Sequence, residues 1–535
     1  AEYLSEHTSQ SYVMEIDPYL DASGNDTGHY VNPPDAGYVT VTSPAVTDKT
    51  PKQVSRQVVW TYASKSSLTL FATIGSSAQR LPNGNTLVCG DNDGYVSEVT
   101  SAGAAVWEYI VPITKSGKLL VLGDRIPMTN SIFRAYRYLS TDPALAGRTL
   151  TGGTTIAGRT TVENPYAGDA GYKALQRPTE TQYWDSTNAY NGYTLFAAQG
   201  KTYLVDMQGR VAHSWSGGTD PRLLESGNLL DWATDASGNT GLRERDWNGN
   251  TVWSHFETRS GYHPHGDFRR IRDPKLGAYA TLYLANRDVT AAECLAAGCD
   301  PAGSPWAGAQ VDTIVEVDAS GTVVWEWSFW DHAVQAVDSS KANYAGAGKS
   351  ISDFPGRINL NLPGRPLQAN WLDCNSLDYN QALDQVVVNS RQGELYVVDH
   401  GNTFVAGNPA SSIALAATSA GDFLYRFGDP ARYGQGNPPS VGTNWETATS
   451  GNKQIGGSSN AQWIASGIPG AGHLLVFDNN QYLYQRTPQS YVFEINPYLN
   501  SSGTDTGAYV NPPTAGYVTW TFDKDTMKAN QLLSK

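Results

Sequence analysis

Asp318-Ala-Ser-Gly-Thr-Val-Val-Trp-Glu-Trp327 is a turn that runs directly into a strand. The Asp-x-x-Gly start is a tight-turn signal, and the apolar pair and aromatics after it suit a pleated, buried surface. The unit recurs. Val211-Ala-His-Ser-Trp215 follows Asp206-Met-Gln-Gly209, and Thr251-Val-Trp253 follows Asp246-Trp-Asn-Gly249. Further apolar-aromatic strands are Val58-Val-Trp-Thr-Tyr62, Ala105-Val-Trp-Glu-Tyr109, Phe423-Leu-Tyr-Arg-Phe427 and Val518-Thr-Trp-Thr-Phe522. Regular spacing of such units predicts an all-β chain folded as a β-propeller, where each four-stranded blade buries its faces against its neighbours.

Composition agrees with that class. The 535 residues include 53 Gly, 15 Trp and 30 Tyr with only 16% charged residues, a turn-rich and aromatic balance. A repeat ring of this length can be one domain. The net charge of −14 and the lack of a basic run argue against a nucleic-acid partner. No apolar stretch approaches the length of a membrane span. Cys294 and Cys299 bracket a short loop and are expected to form a local disulfide, hence an oxidising compartment; the alternative is two free surface thiols. Cys89 and Cys374 sit in apolar company and read as buried thiols. No signal peptide opens the chain, so a secreted protein would be present here in mature form.

Residues 10–40 and 489–519 are one sequence written twice, identical at 24 of 31 positions. The first copy begins Gln-Ser-Tyr-Val-Met-Glu-Ile-Asp-Pro-Tyr-Leu and the second Gln-Ser-Tyr-Val-Phe-Glu-Ile-Asn-Pro-Tyr-Leu. Two copies then compete for one blade, so the ring has six blades, the favoured count, or seven. Residues 1–138 read as N-terminal propeller units, 139–190 as a Gly-, Thr- and Pro-rich linker, and 191–535 as the remaining blades and ring closure. A copy left outside the ring could join a second chain by strand addition, through residues 1–50 or 488–535, giving a homo-oligomer or filament.

Asn370-Trp-Leu-Asp-Cys-Asn-Ser-Leu-Asp-Tyr-Asn380 is a Trp-anchored loop leading to the apolar strands Val386 to Val388 and Leu395 to Val398, with Arg391 between them. Arg391 offers five donors for an anionic oxygen cluster, with Asp373 and Asn375 close before it in sequence. This stretch resembles the PAPS-independent arylsulfotransferases, whose pattern is roughly Trp-x-His-x-Asn-Ser followed by Ser-Arg. Asn375, Ser376 and Arg391 match, and Asp373 stands where the family has His. Gly75-Ser-Ser-Ala-Gln-Arg-Leu-Pro-Asn-Gly84, Ile132-Phe-Arg-Ala-Tyr-Arg-Tyr138 and Gly192-Tyr-Thr-Leu-Phe196 carry the same resemblance, in an order that reads as a circular permutation.

The resemblance implies a secreted propeller, extracellular or periplasmic, that transfers a sulfuryl group from an aryl sulfate to a phenol through a histidine intermediate. The nucleophile's motif aligns with Gly457-Ser-Ser-Asn-Ala-Gln-Trp463, Pro469-Gly-Ala-Gly472 and Phe477-Asp-Asn479, and puts Ser459 in the histidine's place. His263, His265 and Asp267 in Tyr262-His-Pro-His-Gly-Asp-Phe268 match a family His-His-Asp stretch in altered spacing. The candidate site is therefore Asp373, Asn375, Arg391, His263, His265 and Ser459, with Asp373 and His265 as an acid/base pair. A metal held by His263, His265 and Asp373 has no spacing signature behind it, and no metal or cofactor is expected. Asp91-Asn-Asp-Gly94 lacks a full calcium ladder and reads as a hairpin turn. His332 and His400 read as structural hydrogen-bond partners, and His213 and His255 as packed rings. Three functions follow: a propeller that lost sulfuryl transfer and binds a small anionic or aromatic ligand, an active sulfotransferase using another residue, or a self-assembling structural protein.

Overall fold

In the computed structural model of the chain, Asp318 Oδ1 accepts from the backbone N–H groups of Ser320 and Thr322 at 2.8 and 2.9 Å. Gly321 completes this turn at φ 84°, a left-handed conformation that costs glycine nothing. Asp206 and Asp246 make the same turns with Gln208, Arg210, Asn248 and Asn250. The strand that follows, Val323–Ser328, buries Trp325 and Trp327, whose indole N–H groups donate to Thr403 Oγ1 and the Gly421 carbonyl.

The structure describes residues 75–91, 94–120, 130–158, 180–299, 309–362, 370–439, 451–469 and 471–479. It also describes Ala72, the strands Tyr12–Glu15, Tyr38–Val41, Lys52–Ser55, Trp60–Ala63 and Tyr491–Ile495, and a few positions between 497 and 511.

Six antiparallel blades form a ring. Blade one is Ser77–Arg80, Thr86–Gly90, Tyr95–Val99 and Ala105–Ile110, with Glu180–Trp184 as an added outer strand. Blade two is Ala135–Tyr138, Tyr193–Ala198, Lys201–Val205 and Val211–Ser216. Blade three runs through Thr219–Leu223, Leu229–Thr234, Thr240–Arg245 and Thr251–Phe256, and blade four through Tyr262–Asp273, Ala278–Val289, Ala309–Asp318 and Val323–Ser328. Blade five is Cys374–Asn380, Gln385–Ser390, Glu394–Asp399 and Tyr425–Phe427; blade six holds Ser458–Trp463, Leu474–Asp478 and Tyr491–Ile495.

Each junction between blades has its own apolar core. Val386, Val388, Tyr396 and Val398 of blade five pack against Leu282, Leu284 and Trp327 of blade four. The alternate residues Val387, Leu395 and Val397 pack the other way, against Ala461, Leu474 and Val476 of blade six. Successive side chains of a strand point to opposite faces, so a blade with neighbours on both sides needs apolar residues at every position. Separate clusters fill the junctions from blade one to two, two to three and three to four. The ring closes where Ala78, Val88, Tyr95 and Val99 of blade one meet Leu475, Phe477 and Val492 of blade six.

The duplicated segments are described only in part. Tyr491–Ile495 of the second copy is a strand of blade six. Tyr12–Glu15 of the first copy pairs with Trp60–Ala63 and lies against Tyr491–Ile495. Both copies thus stand at the same blade of a six-bladed ring. Most of residues 1–50 and 488–535, the proposed joining segments, lies outside the described residues. So does 159–179, while Glu180–Trp184 after it is the outer strand of blade one.

The expected disulfide joins Cys294 to Cys299 at the end of the helix Ala291–Ala297, which Thr290 and Glu293 cap reciprocally. Cys89 and Cys374 are buried thiols outside the disulfide. Among the described residues no helix is long and apolar enough to cross a membrane.

Candidate functional site

The first strand of each blade stands at the inner edge of its sheet, and four of these strands carry an irregularity at one level. Pairing slips between Thr219 and Arg222, His265 and Phe268, Cys374 and Ser376, and Ser458 and Asn460. The residues set free of the ladder include Asp220, Asp267, Asn375 and Ser459. A bulge re-aims its extra residue, and bulges gather beside functional sites.

All four bulges converge on Arg134 of blade two. Its Nη1 lies 3.0 Å from Asp220 Oδ2 of blade three and 3.0 Å from Asp267 Oδ1 of blade four. Its Nη2 donates to the carbonyls of Asn375 in blade five at 2.9 Å and Ser459 in blade six at 3.4 Å. Arg222 adds a second cation, with Nη2 donating to Asp267 Oδ1 at 2.6 Å and its guanidinium 4.8 Å over the Tyr136 ring. Asp267 Oδ2 accepts from Leu377 N at 3.1 Å. The four charged side chains are buried. Burial pushes Asp267 up, but Arg134 and Arg222 together hold its carboxyl below the usual range. For Asp220 burial wins over the same two arginines and the value is raised. Burial works against Arg134, yet Asp220 and Asp267 hold its guanidinium more firmly charged than in water. Two cations and two carboxylates balance at the centre of the ring.

Beside this cluster opens a cleft of about 600 Å³ between blades three and four, lined by Phe133, Asp220, Trp232, Arg243 and His265 among others. Phe133 is an exposed aromatic at its rim. His265 Nε2 lies 3.2 Å from Asp312 Oδ1, which also accepts from Cys374 N at 3.0 Å. A Cβ on Gly266 would stand 2.9 Å from the Cys374 carbonyl, so His265 and the Asp373–Asn375 turn are close neighbours.

The sequence candidates divide. Asp373 takes a left-handed backbone, φ 52°, and its Oδ2 meets Arg391 Nη1 at 3.3 Å. Asn375 is used within the ring: its Nδ2 donates to the Ser458 carbonyl at 2.7 Å and its Oδ1 accepts from Asn389 at 2.7 Å. His263 is exposed and 3.1 Å from Asp288. Asp373 and His265 therefore pair with Arg391 and Asp312, not with each other. Ser459 is buried, and its hydroxyl donates to Asn479 Oδ1. The Asn479 amide in turn donates to the carbonyls of Ala72 and Gly75, at 3.3 and 3.2 Å. His263, His265 and Asp373 do not gather as ligands; among the described residues the one such group within 4.8 Å is Asp273, Glu316 and His400. His332 is buried between Asp422 and the Ala416 carbonyl, and His213 stacks on Trp247.

Sequence reasoning missed Arg134, Asp220 and Arg222 as site residues. Phe133-Arg-Ala-Tyr-Arg-Tyr138 and the Asp220-Pro221 pair were the only local signals.

The arylsulfotransferase (ASST) family model matches residues 307–533. No curated protein matches the chain. Among solved structures, a protein of unknown function from Bacteroides caccae is similar over 60% of this chain and 94% of its own, at 14% identity and a TM-score of 0.24. The Cps50 (Swd1) β-propeller domain of Myceliophteria thermophila aligns over 78% of this chain and 85% of its own, at 9% identity and TM-score 0.31. The PQQ-bound aldose sugar dehydrogenase of Streptomyces coelicolor aligns over 80% and 95%, at 10% identity and TM-score 0.34.

Proposed function

We propose that this arylsulfotransferase-like β-propeller binds a small anionic aromatic ligand in the cleft beside Arg134, and has lost sulfuryl transfer at the position that the family gives to histidine. Ser459 carries the reading. Its hydroxyl is buried and committed to the Asn479 amide oxygen, which is not a base. A serine without a general base is a weak nucleophile at neutral pH.

The cleft supplies what such a ligand needs. Phe133 and Trp232 offer ring faces, while His265 and Arg243, whose Nε and Nη2 also reach Asp231 Oδ1 at 3.4 Å, offer donors to an anionic group. Arg391, the family's anion-holding position, is instead paired with Asp373. An extracellular or periplasmic setting belongs to the same proposal, supported by the Cys294–Cys299 disulfide.

Turnover of a chromogenic aryl sulfate with a phenol acceptor, on wild type and Ser459→His, tests it. Wild type is expected to be silent but to bind the aryl sulfate by tryptophan quenching, with affinity about tenfold weaker in Arg243→Ala. Gain of turnover in Ser459→His would support a sulfotransferase pocket that lost its nucleophile. Wild-type turnover would overturn the proposal and assign the family reaction to another residue.

A further inference from the structure

Away from the cleft, the junction of blades four and five buries Asp273, Glu316 and His400 together, each fully shielded from solvent. Asp273 ends the strand Tyr262–Asp273, Glu316 lies within Ala309–Asp318, and His400 follows Glu394–Asp399. One ligand atom from each lies within 4.8 Å of the others.

The hydrogen bonds around them are one-sided. His400 Nδ1 lies 2.6 Å from Asp384 Oδ1, which also accepts from Tyr379 Oη at 2.7 Å. His400 Nε2 lies 2.7 Å from Glu316 Oε2. Asp273 Oδ1 accepts from Lys275 N and Leu276 N at 2.6 and 3.1 Å. Glu316 Oε1 and Asp273 Oδ2, by contrast, are buried with no donor from any other group, and the two carboxyls bond to one another only through a proton that one of them carries. Two carboxylates aimed at one another in an apolar junction carry a desolvation penalty that only a positive species between them, a proton or a metal ion, relieves.

We propose that Asp273, Glu316 and His400 form a binding site for one first-row divalent transition-metal ion, zinc being the simplest occupant. Imidazole with two carboxylates suits these metals, and disfavours calcium and magnesium, which take oxygen ligands. Asp384 gives the arrangement its tautomer. A carboxylate on Nδ1 keeps the proton there, so an ion that displaces the contact between Nε2 and Glu316 Oε2 meets the Nε2 lone pair, and metal-bound histidines usually have such a carboxylate behind them. Ligands about 2.0–2.2 Å from one ion stand roughly 3–4 Å apart, so the three side chains need only small adjustments. The ion ties blade four to blade five, independently of any ligand in the cleft.

The test uses the full chain, stripped with a chelator and titrated with Co2+ as a spectroscopic probe. One Co2+ per chain is expected, with the visible absorption of a low-symmetry site, displaced by Zn2+. Saturating Zn2+ is expected to raise Tm by about 2 °C. Asp273→Asn and Glu316→Gln keep shape and hydrogen-bond acceptors, so they should fold, and each is expected to weaken Co2+ binding at least tenfold. His263→Ala, which removes an exposed His–Asp pair, should leave binding unchanged. Absence of binding in wild type, or binding lost in His263→Ala but kept in Asp273→Asn, would overturn the proposal.

Discussion

Arg134 and Asp267, from the second and fourth blades, meet at 3.0 Å across the centre of the ring. Each has further partners on other blades, so the pair ties together parts of the chain that share no strand. Replacing Arg134 by Met leaves two buried carboxylates facing Arg222 alone. We expect a loss of about 3–5 kcal/mol in guanidinium unfolding. A loss below roughly 1 kcal/mol would show that the axial ions do not support the ring.

Asp91 gives a pH signature. Burial raises its carboxyl from 3.8 to about 6, with Lys115 and Ser131 opposing only in part. Between those values the folded protein holds a proton that the unfolded chain releases. Its contribution is therefore fully present below pH 4 and lost as pH rises through 6. Relative to Asp91→Asn, wild type should lose roughly 2 kcal/mol from pH 4 to pH 7, read from paired urea titrations. Parallel curves would refute it.

The Cys294–Cys299 bridge closes a short loop, five residues apart in sequence. Chain-entropy reasoning gives about 2 kcal/mol for a loop this small. The double substitution to serine should lower stability by that amount, and reductant should lower wild type equally while leaving the variant unaffected.

Gly266 stands at φ 70°, with the Cys374 carbonyl 2.9 Å from the place of a Cβ. Gly266→Ala should cost about 2 kcal/mol, since neither backbone can yield easily. It should also weaken aryl sulfate binding, because Gly266 sets the distance between His265 and the Asp373 turn. Full affinity in a destabilised variant would separate the bulge from the cleft.

Much of the ring was legible. The runs Val386 to Val388 and Leu395 to Val398 read as buried strands, and both of their faces are covered by neighbouring blades. The Asp-x-x-Gly turns form as their residue types require. The site was far less legible. Arg134 meets Asp220, Asn375 and Ser459 across 86, 241 and 325 residues of chain, so no local pattern announces it. The bulges that aim those residues inward are slips in pairing with a partner strand, which one strand's sequence does not display. Asp273 and Glu316 come from two strands of blade four and His400 from the turn after a strand of blade five, and the three have no motif spacing.

The seam between blades one and six has a consequence for how the chain is made. Gln462 donates to the Ala78 carbonyl and Asn479 to that of Ala72, partners separated by 384 and 407 residues. During synthesis, the apolar face of blade one carrying Ala78, Val88, Tyr95 and Val99 must wait for almost the entire chain before Leu475 and Phe477 arrive to cover it. Loop closure over that distance delays the reward for folding, so the nascent ring spends its assembly time with an adhesive edge open, the interval in which a holding chaperone has most to protect.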